Sequence, residues 1–536
     1  MRAGPTHLLG QIGSQICSRI GYASRWRNSG NPRRSVGRRS VGRRLVRPLV
    51  LVAALSTVSA LLAAPGTAST ASSVASAASA GVKPGSGWSD PASGNRQRQL
   101  ERLVLTSLRS AGFTEVIDGD QTFPYPRIAA IPNLDVAVIR LDEQGRPREA
   151  VNALLSRDYP RGVLAPIGRD LRSDGVRFRA WNLDRFDQTN GSTWTTPPFT
   201  AADDVVPGRE QARIDFMEPY PASSFKLVIA YWVAHLVDQG LLGWGDSYAY
   251  DPGPNPPELC AAGARTATIA EFLDTMIAES NNRDTCALIK RLHELNQVDA
   301  MNAGLRALAV PSLQVLGTDP ATGGSWQVGK ITVGAFDAAK LLLLIDGAPG
   351  TLFRRADGSK VTRGALSQRS RGVLKAALAD QGFNEVLATT NWCGHRLPAE
   401  FGYPRPYPAP GIPTATPQRW LDPDGFATVD GVPYFQDTRP CNAAAQVAFS
   451  HKTGLTRNYG SDVGYVHSLP GAPRRDYVIA IISNLGDRYT DPVLNRASAD
   501  PQQGDCWTVD FICYSQAFSR FGKAIDDGMV RLAGDH

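Results

Sequence analysis

Little in this chain points to metal chemistry. Its 536 residues include seven cysteines and seven histidines, with no Cys-x-x-Cys and no His-x-x-x-His spacing, so a zinc site has no support. No Gly-x-Ser-x-Gly occurs, which removes the nucleophile elbow of an α/β-hydrolase triad. The sequence shows no internal repeat. Its apolar run at residues 49–64 is shorter than the roughly 20 residues a membrane helix needs. Excess positive charge is also missing from the body of the chain. Residues 1–47 hold eleven Arg and no acid, and without them the formal charge falls from +7 to −4. The basic balance therefore belongs to the leader and makes no case for nucleic-acid binding.

That leader has the order positive, apolar, small: arginines up to Arg47, the run 49–64, then Pro65-Gly-Thr-Ala-Ser69. This is the pattern of a secretory signal peptide. We expect residues 1–68 to be the signal, cleaved near Ala68 or Ala71, and 69–95 to be a flexible Ala/Ser/Gly linker. The mature protein is then secreted, extracellular or cell-wall associated, with no retained membrane span. Cysteine usage agrees with export. Beyond Cys17 in the leader there are six, and proximity suggests the pairs 260–286, 393–441 and 506–513.

An N-terminal region is expected at 96–210, with a helix at 97–111 and Leu100, Leu103, Val104 and Leu108 on one face. Strands are expected at 135–141, with a hairpin turn after it, and at 176–183. The polar stretch 184–210 is unassigned. The remainder, 211–536, reads as one catalytic domain. It opens with a helix from near Ser223 to Gly240 that is apolar nearly all round and so belongs in the interior. Further helices are expected at 268–278, 285–295, 299–307, 333–345, 366–381 and 514–532, and strands at 446–453, 464–467 and 477–483. A Pro- and aromatic-rich insert, 393–441, is tied off by its terminal cysteines. Strands at both ends with helices between them imply an α/β arrangement of the α+β type. One antiparallel sheet is built from both ends of the chain and flanked by helices, with an all-helical lobe inserted.

The chemistry concentrates in the first turn of the Ser223 helix. Ser223 and Lys226 are three residues apart and share a face. Of the nine lysines, only Lys226 has a serine at that spacing. A desolvated lysine loses pKa units, and its neutral form can accept a serine proton. Were Ser223 merely a helix cap, Lys226 would extend its amine outward to water. Two further elements follow in order. Ser280-Asn281-Asn282 lies just after a helix end, and His451-Lys452-Thr453-Gly454 closes a strand, where glycine lets a substrate backbone come close.

The ordered trio resembles the motif set of the class A β-lactamase and penicillin-binding protein family, over roughly residues 215–300 and 445–485. The resemblance implies a β-lactamase/transpeptidase-like fold with Ser223 as acylated nucleophile and Lys226 as its proton partner. Ser280 would relay protons and Asn282 would bind the substrate amide. Lys452, Thr453 and Gly454 would hold the substrate carboxylate, with Arg457 as a second contact. Backbone N–H groups of Ser223 and Leu455 would form the oxyanion hole. No cofactor and no metal are implied. The partner is a small-molecule or peptide substrate, a β-lactam or a wall peptide, acted on by a monomer.

The chain departs from the family pattern in two places. Asn281 stands where the lactamases usually have Asp. No Glu occurs between Glu294 and Glu385, although the lactamases carry their deacylating Glu in that stretch. The corresponding loop, 317–327, offers only Asp319. A missing general base costs ~10²–10⁴ in rate, so acylation is expected and deacylation lacks its base. Two alternatives remain at this level, a non-catalytic wall- or partner-binding module using the cleft and insert, and a small-acyl esterase. His235, His293 and Trp326 read as packing residues, and His451 borders the site without an evident role.

Overall fold

Helix α1, Pro91–Ser110, starts inside the expected linker, its proline in the first turn, where a missing N–H costs nothing. The computed structural model describes residues 91–121, 126–182, 200–393, 411–490 and 512–534. The expected leader, Cys506 and most of the stretch 184–210 lie outside these residues. After α1, strand β1 (Leu134–Leu141) turns into β2 (Pro147–Leu155), and β3 is the short Val163–Leu164. The β1–β2 turn is shaped by Asp142, whose Oδ1 accepts from the amides of Gln144 and Arg146 at 2.9 Å each. Strand β4 (Val176–Ala180) ends before residue 183 and pairs in parallel with β5 (Ile214–Glu218), outside the main sheet.

Helix α2, Lys226–Asp238, is preceded by a 3-10 turn, Ala222–Phe225, and followed by Gly240 at φ +74°, the left-handed stop. The lobe continues with α3 (Ile269–Ala278), α4 (Asn282–Glu294), α5 (Val298–Ala307), α6 (Ala335–Asp346) and α7 (Gln368–Ala379). It is mainly rather than wholly helical, because short strand pairs (Ser247–Tyr250 with Arg265–Thr268, Gln314–Val315 with Ile331–Thr332, Thr351–Arg354 with Lys360–Thr362) link its helices. Helix α4 starts three residues earlier than its apolar spacing indicates, because the Asn281 side chain caps it by accepting from the Asp284 amide. The insert carries a hairpin, β6 (Phe426–Val429) and β7 (Val432–Asp437). Then come β8 (Val447–Thr456), β9 (Tyr459–Ser468), β10 (Tyr477–Ser483) and α8 (Tyr514–Gly534).

The main sheet has the order β8-β9-β10-β1-β2-β3, antiparallel throughout, so strands from both ends of the chain meet at β10–β1 as expected. Its central strands are apolar on both faces. On β1, Val136 and Val138 pack toward α1 and α8, while Ala137, Ile139 and Leu141 pack toward the helical lobe; β10 alternates in the same way. The result is three layers with α2 in the larger core, ten of its thirteen residues buried. Among the described residues, no helix is long and apolar enough to cross a membrane. Disulfides Cys260–Cys286 and Cys393–Cys441 are formed as expected; Cys513 is also disulfide-bonded, and the expected partner Cys506 lies outside the described residues.

One core feature sets a pH dependence. Asp135 on β1 and Glu218 on β5 face each other fully buried, with Asp337 of α6 nearby. Asp135 accepts from the Ala335 amide (2.7 Å) at the start of α6, joining sheet to helix. Burial pushes the Asp135 carboxyl up to about 6 and the Glu218 carboxyl well above its usual range. The folded protein therefore holds protons here that the unfolded chain releases. This stabilisation is complete below about pH 4 and lost as pH rises through about 6 and beyond, roughly 3 kcal/mol for the Asp135 shift alone. Glu218→Gln is expected to flatten that slope, so its urea midpoint should exceed wild type's more at pH 8 than at pH 5. Parallel slopes for the two proteins would contradict this origin.

Candidate active site

Ser223 sits in the 3-10 turn that feeds α2, half-buried and next to the edge strand β8. The turn is strained, with Ala222 at φ +47°. One turn on, Lys226 is fully buried, so the outward-reaching lysine of a simple helix cap is not what the chain adopts. Its Nζ donates to the Ser280 carbonyl (2.5 Å) and to Asn282 Oδ1 (2.7 Å), and lies 3.2 Å from Ser280 Oγ. Two carbonyl acceptors can take both hydrogens of a neutral amine, which leaves its lone pair to accept a proton. Ser280 reaches inward because its backbone is left-handed, φ +58°, between α3 and α4.

From the opposite wall, Lys452 Nζ on β8 donates to Ser280 Oγ at 2.9 Å and to the Thr453 carbonyl at 2.7 Å. A single hydroxyl thus links two buried amines. Burial drives both pKa values down, and Lys452 pushes Lys226 further. Lys226 falls well below the usual lysine range, and Lys452 to about 7, where carboxylates of Glu385 and Asp462 hold it up. Both shifts have one sign, and burial beside a second amine makes Lys226 readily deprotonated.

Strand β8 passes directly over the nucleophile turn. A Cβ on Gly454 would lie 2.6 Å from the Pro221 carbonyl oxygen and 2.7 Å from the Ser223 amide nitrogen, so only glycine permits the approach. Ser461 on β9 fixes the same turn, its hydroxyl donating to the Pro221 carbonyl at 2.6 Å. Ser224, the neighbouring hydroxyl, is buried and donates to that same carbonyl at 2.8 Å. Among the described residues, the Ser223 hydroxyl makes no such bond and stays free to react.

The structure thus brings together Ser223, Lys226, Ser280, Asn282, Lys452 and Gly454. Thr453 and Leu455 lie on the same stretch of β8. Arg457 points elsewhere. It is exposed and ion-paired with Asp120, so the second carboxylate contact expected of it is not part of the cluster around Ser223. Asp319 is a turn brace, accepting from Ala321 N (2.9 Å) and Thr322 Oγ1 (2.8 Å). Its loop contributes Trp326 to the site instead, edge-on to Phe225 (5.2 Å between centroids) and 5.7 Å from Lys226 Nζ. His451, itself on β8, is buried with its ring held between Asp462 and Asn384 at 2.7 Å each. No group of histidine, cysteine and acid side chains among the described residues is arranged to hold a metal.

Two parts of the site were not read from the sequence. Asp284 is fully buried under the Asn282 turn and bound by Arg265, Arg283 and Thr275, which fixes the start of α4. Asp430, at the tip of the β6–β7 hairpin, has Lys226 as its strongest charged neighbour. The hairpin's Asp-Gly turn is legible in the sequence; the place its tip reaches is not.

No family model and no curated protein matches this chain. Among solved structures it is similar in fold to a class A β-lactamase representative from Bacteroides cellulosilyticus, at 12% identity and TM-score 0.39 over 81% of this chain and 99% of that one. PBP-A is similar at 14% identity and TM-score 0.37, over 81% and 95%. A β-lactamase from Sphaerobacter thermophilus is similar at 16% identity and TM-score 0.31, over 57% and 81%. Nothing of their chemistry is carried over at these identities and scores, and the site stands on its own geometry.

Proposed function

We propose that this chain is a serine acyl-transfer hydrolase in which Ser223 takes the acyl group of an amide or ester bearing a carboxylate, a β-lactam or a cell-wall peptide. The observation that carries this is the fully buried Lys226 amine, bonded to two carbonyls and facing a hydroxyl shared with Lys452. Such an amine is a base at neutral pH. Ser223 Oγ attacks the substrate carbonyl carbon and gives its proton to Lys226. The C–N bond then breaks as Ser280 passes a proton to the leaving nitrogen and recovers one from Lys226, leaving the acyl ester on Ser223. Lys452 and Thr453 hold the carboxylate. Asn282, with its oxygen occupied by Lys226, presents its NH₂ to the substrate carbonyl. Secretion is part of the proposal, supported by the leader pattern and by disulfides suited to an oxidising compartment.

The test is intact mass over time after mixing with penicillin, for wild type and Ser223→Ala. Wild type is expected to gain one penicillin and the variant none. An unmodified wild type, or an equally modified variant, overturns the proposal.

A further inference from the structure

An acyl ester on Ser223 needs a base to activate the water that releases it, and most carboxylates around the cleft are committed elsewhere. Asp319 braces its own turn. Asp284 is buried and bound by two arginines and a threonine. Glu385 is buried by Lys452, within 3.4 Å of the Tyr434 hydroxyl. Two carboxylates make no side-chain hydrogen bond and no ion pair among the described residues, Glu279 at the end of α3 and Asp430, and of these Asp430 is the one open to water, at a turn tip.

The insert holds that tip beside the site. Arg419 pairs with Asp274 on α3 and with Asp380 just after α7 (2.9 and 3.0 Å), and the Trp420 indole donates to the Asp380 carbonyl (2.8 Å). Val429, the residue before Asp430, is fully buried and packs on Gly382, where any Cβ would lie 2.4 Å from it. Gly382 in turn donates its amide to the carbonyl of Ala278, two residues before Ser280. A disulfide closes the base of the insert. Hairpin, Gly382 and the Ser280 turn thus form one packed chain of contacts, which sets the Asp430 turn beside the Ser280 turn, close enough for Lys226 to act on the Asp430 carboxylate through its charge.

We propose that Asp430 is the carboxylate that activates the hydrolytic water on the Ser223 ester. This rests on the acylation proposed above. Asp430 takes one proton from the water as its oxygen bonds to the ester carbon. The tetrahedral adduct collapses, the bond from carbon to Ser223 Oγ breaks, and the proton returns to Oγ with Lys226 as carrier. The products are a carboxylic acid and free Ser223. The charged groups around Asp430 are Arg283 and, whenever it is protonated, Lys226, which favour its ionised form, and Asp284 and Glu279, which oppose it. Desolvation of the part of the carboxyl covered by its neighbours outweighs the cations, and its pKa lies above the ordinary aspartate value.

The test uses the full chain and a chromogenic cephalosporin, with separate measurement of adduct formation and adduct lifetime. Asp430→Asn keeps the Asp-Gly type of hairpin turn, since asparagine suits the same backbone. It is expected to acylate still and to lengthen the adduct lifetime by ~10²–10⁴-fold, with Asp430→Glu recovering part of the release. Removing the carboxylate also destabilises the Lys226 ammonium, so the acid limb of acylation should move to lower pH. An Asn variant that releases its acyl group at the wild-type rate overturns the role of Asp430, as does a wild-type adduct that never clears. A wild type that never forms an adduct overturns the acylation itself, a distinct result.

Discussion

Replacing Lys226 with methionine is expected to slow acylation of Ser223 by ~10²–10⁴-fold while the protein still folds. Methionine has nearly the reach of lysine and fills the same channel in α2, so no cavity opens. The Ser280 carbonyl and Asn282 Oδ1 each lose a donor, but both residues are half-buried and can recruit water. Loss of a desolvated amine offsets part of that cost, and the net change in stability should stay within about 2 kcal/mol. The pH profile adds a second reading. Wild-type acylation should rise as Lys226 loses its proton, well below the usual lysine range, and fall again as Lys452 deprotonates through about 7. In the methionine variant the acid limb disappears and the alkaline limb stays. Rapid-quench measurement of adduct formation from pH 5 to 9 decides it. A variant that acylates at the wild-type rate removes Lys226 as the base.

Gly454→Ala is the second large effect, expected to lower the acylation rate by about 10²-fold and stability by about 1–3 kcal/mol. The added methyl meets Ser461 Oγ at 2.4 Å, the Pro221 carbonyl oxygen at 2.6 Å and the Ser223 amide at 2.7 Å. The hydroxyl can rotate away, but the two backbone atoms cannot. Strand β8 must therefore lift from the nucleophile turn. That moves the Ser223 amide relative to Lys452 and Thr453, and reacting groups misplaced by about 1 Å lose most of their advantage. Urea unfolding and acylation kinetics on the same preparation check both halves. Normal acylation by a stable Ala variant would mean that close approach of β8 is not needed.

The features legible in the sequence are those encoded locally. The apolar runs of β1 and β10 and the apolar circumference of α2 each specify their element without outside help, and so placed the sheet and its central helix. The order of Ser223, Asn282 and Lys452 along the chain was enough to gather the reactive groups. Features made by long-range contact were not legible. Arg457 follows Gly454 closely enough to resemble a substrate contact, yet its partner Asp120 lies 337 residues away. The facing acids Asp135 and Glu218 come from separate strands, and neither residue's neighbours announce the pair. Asp430 sits in a hairpin turn that could have been recognised, but packing of Val429 on Gly382 decides where the tip points. The start of α4 was misplaced for a local reason, since its polar first turn hides a cap that apolar spacing does not register.

The central claim is that Ser223 is the acylated atom, and peptide-level mapping tests it most directly. Wild-type protein is exposed to penicillin, quenched in acid, digested, and fragmented to locate the added mass. The account predicts the label on Ser223, with none on Ser224, whose hydroxyl is buried and bonded to the Pro221 carbonyl. A label on Ser224, Ser280 or a lysine, or no label at all, would contradict it.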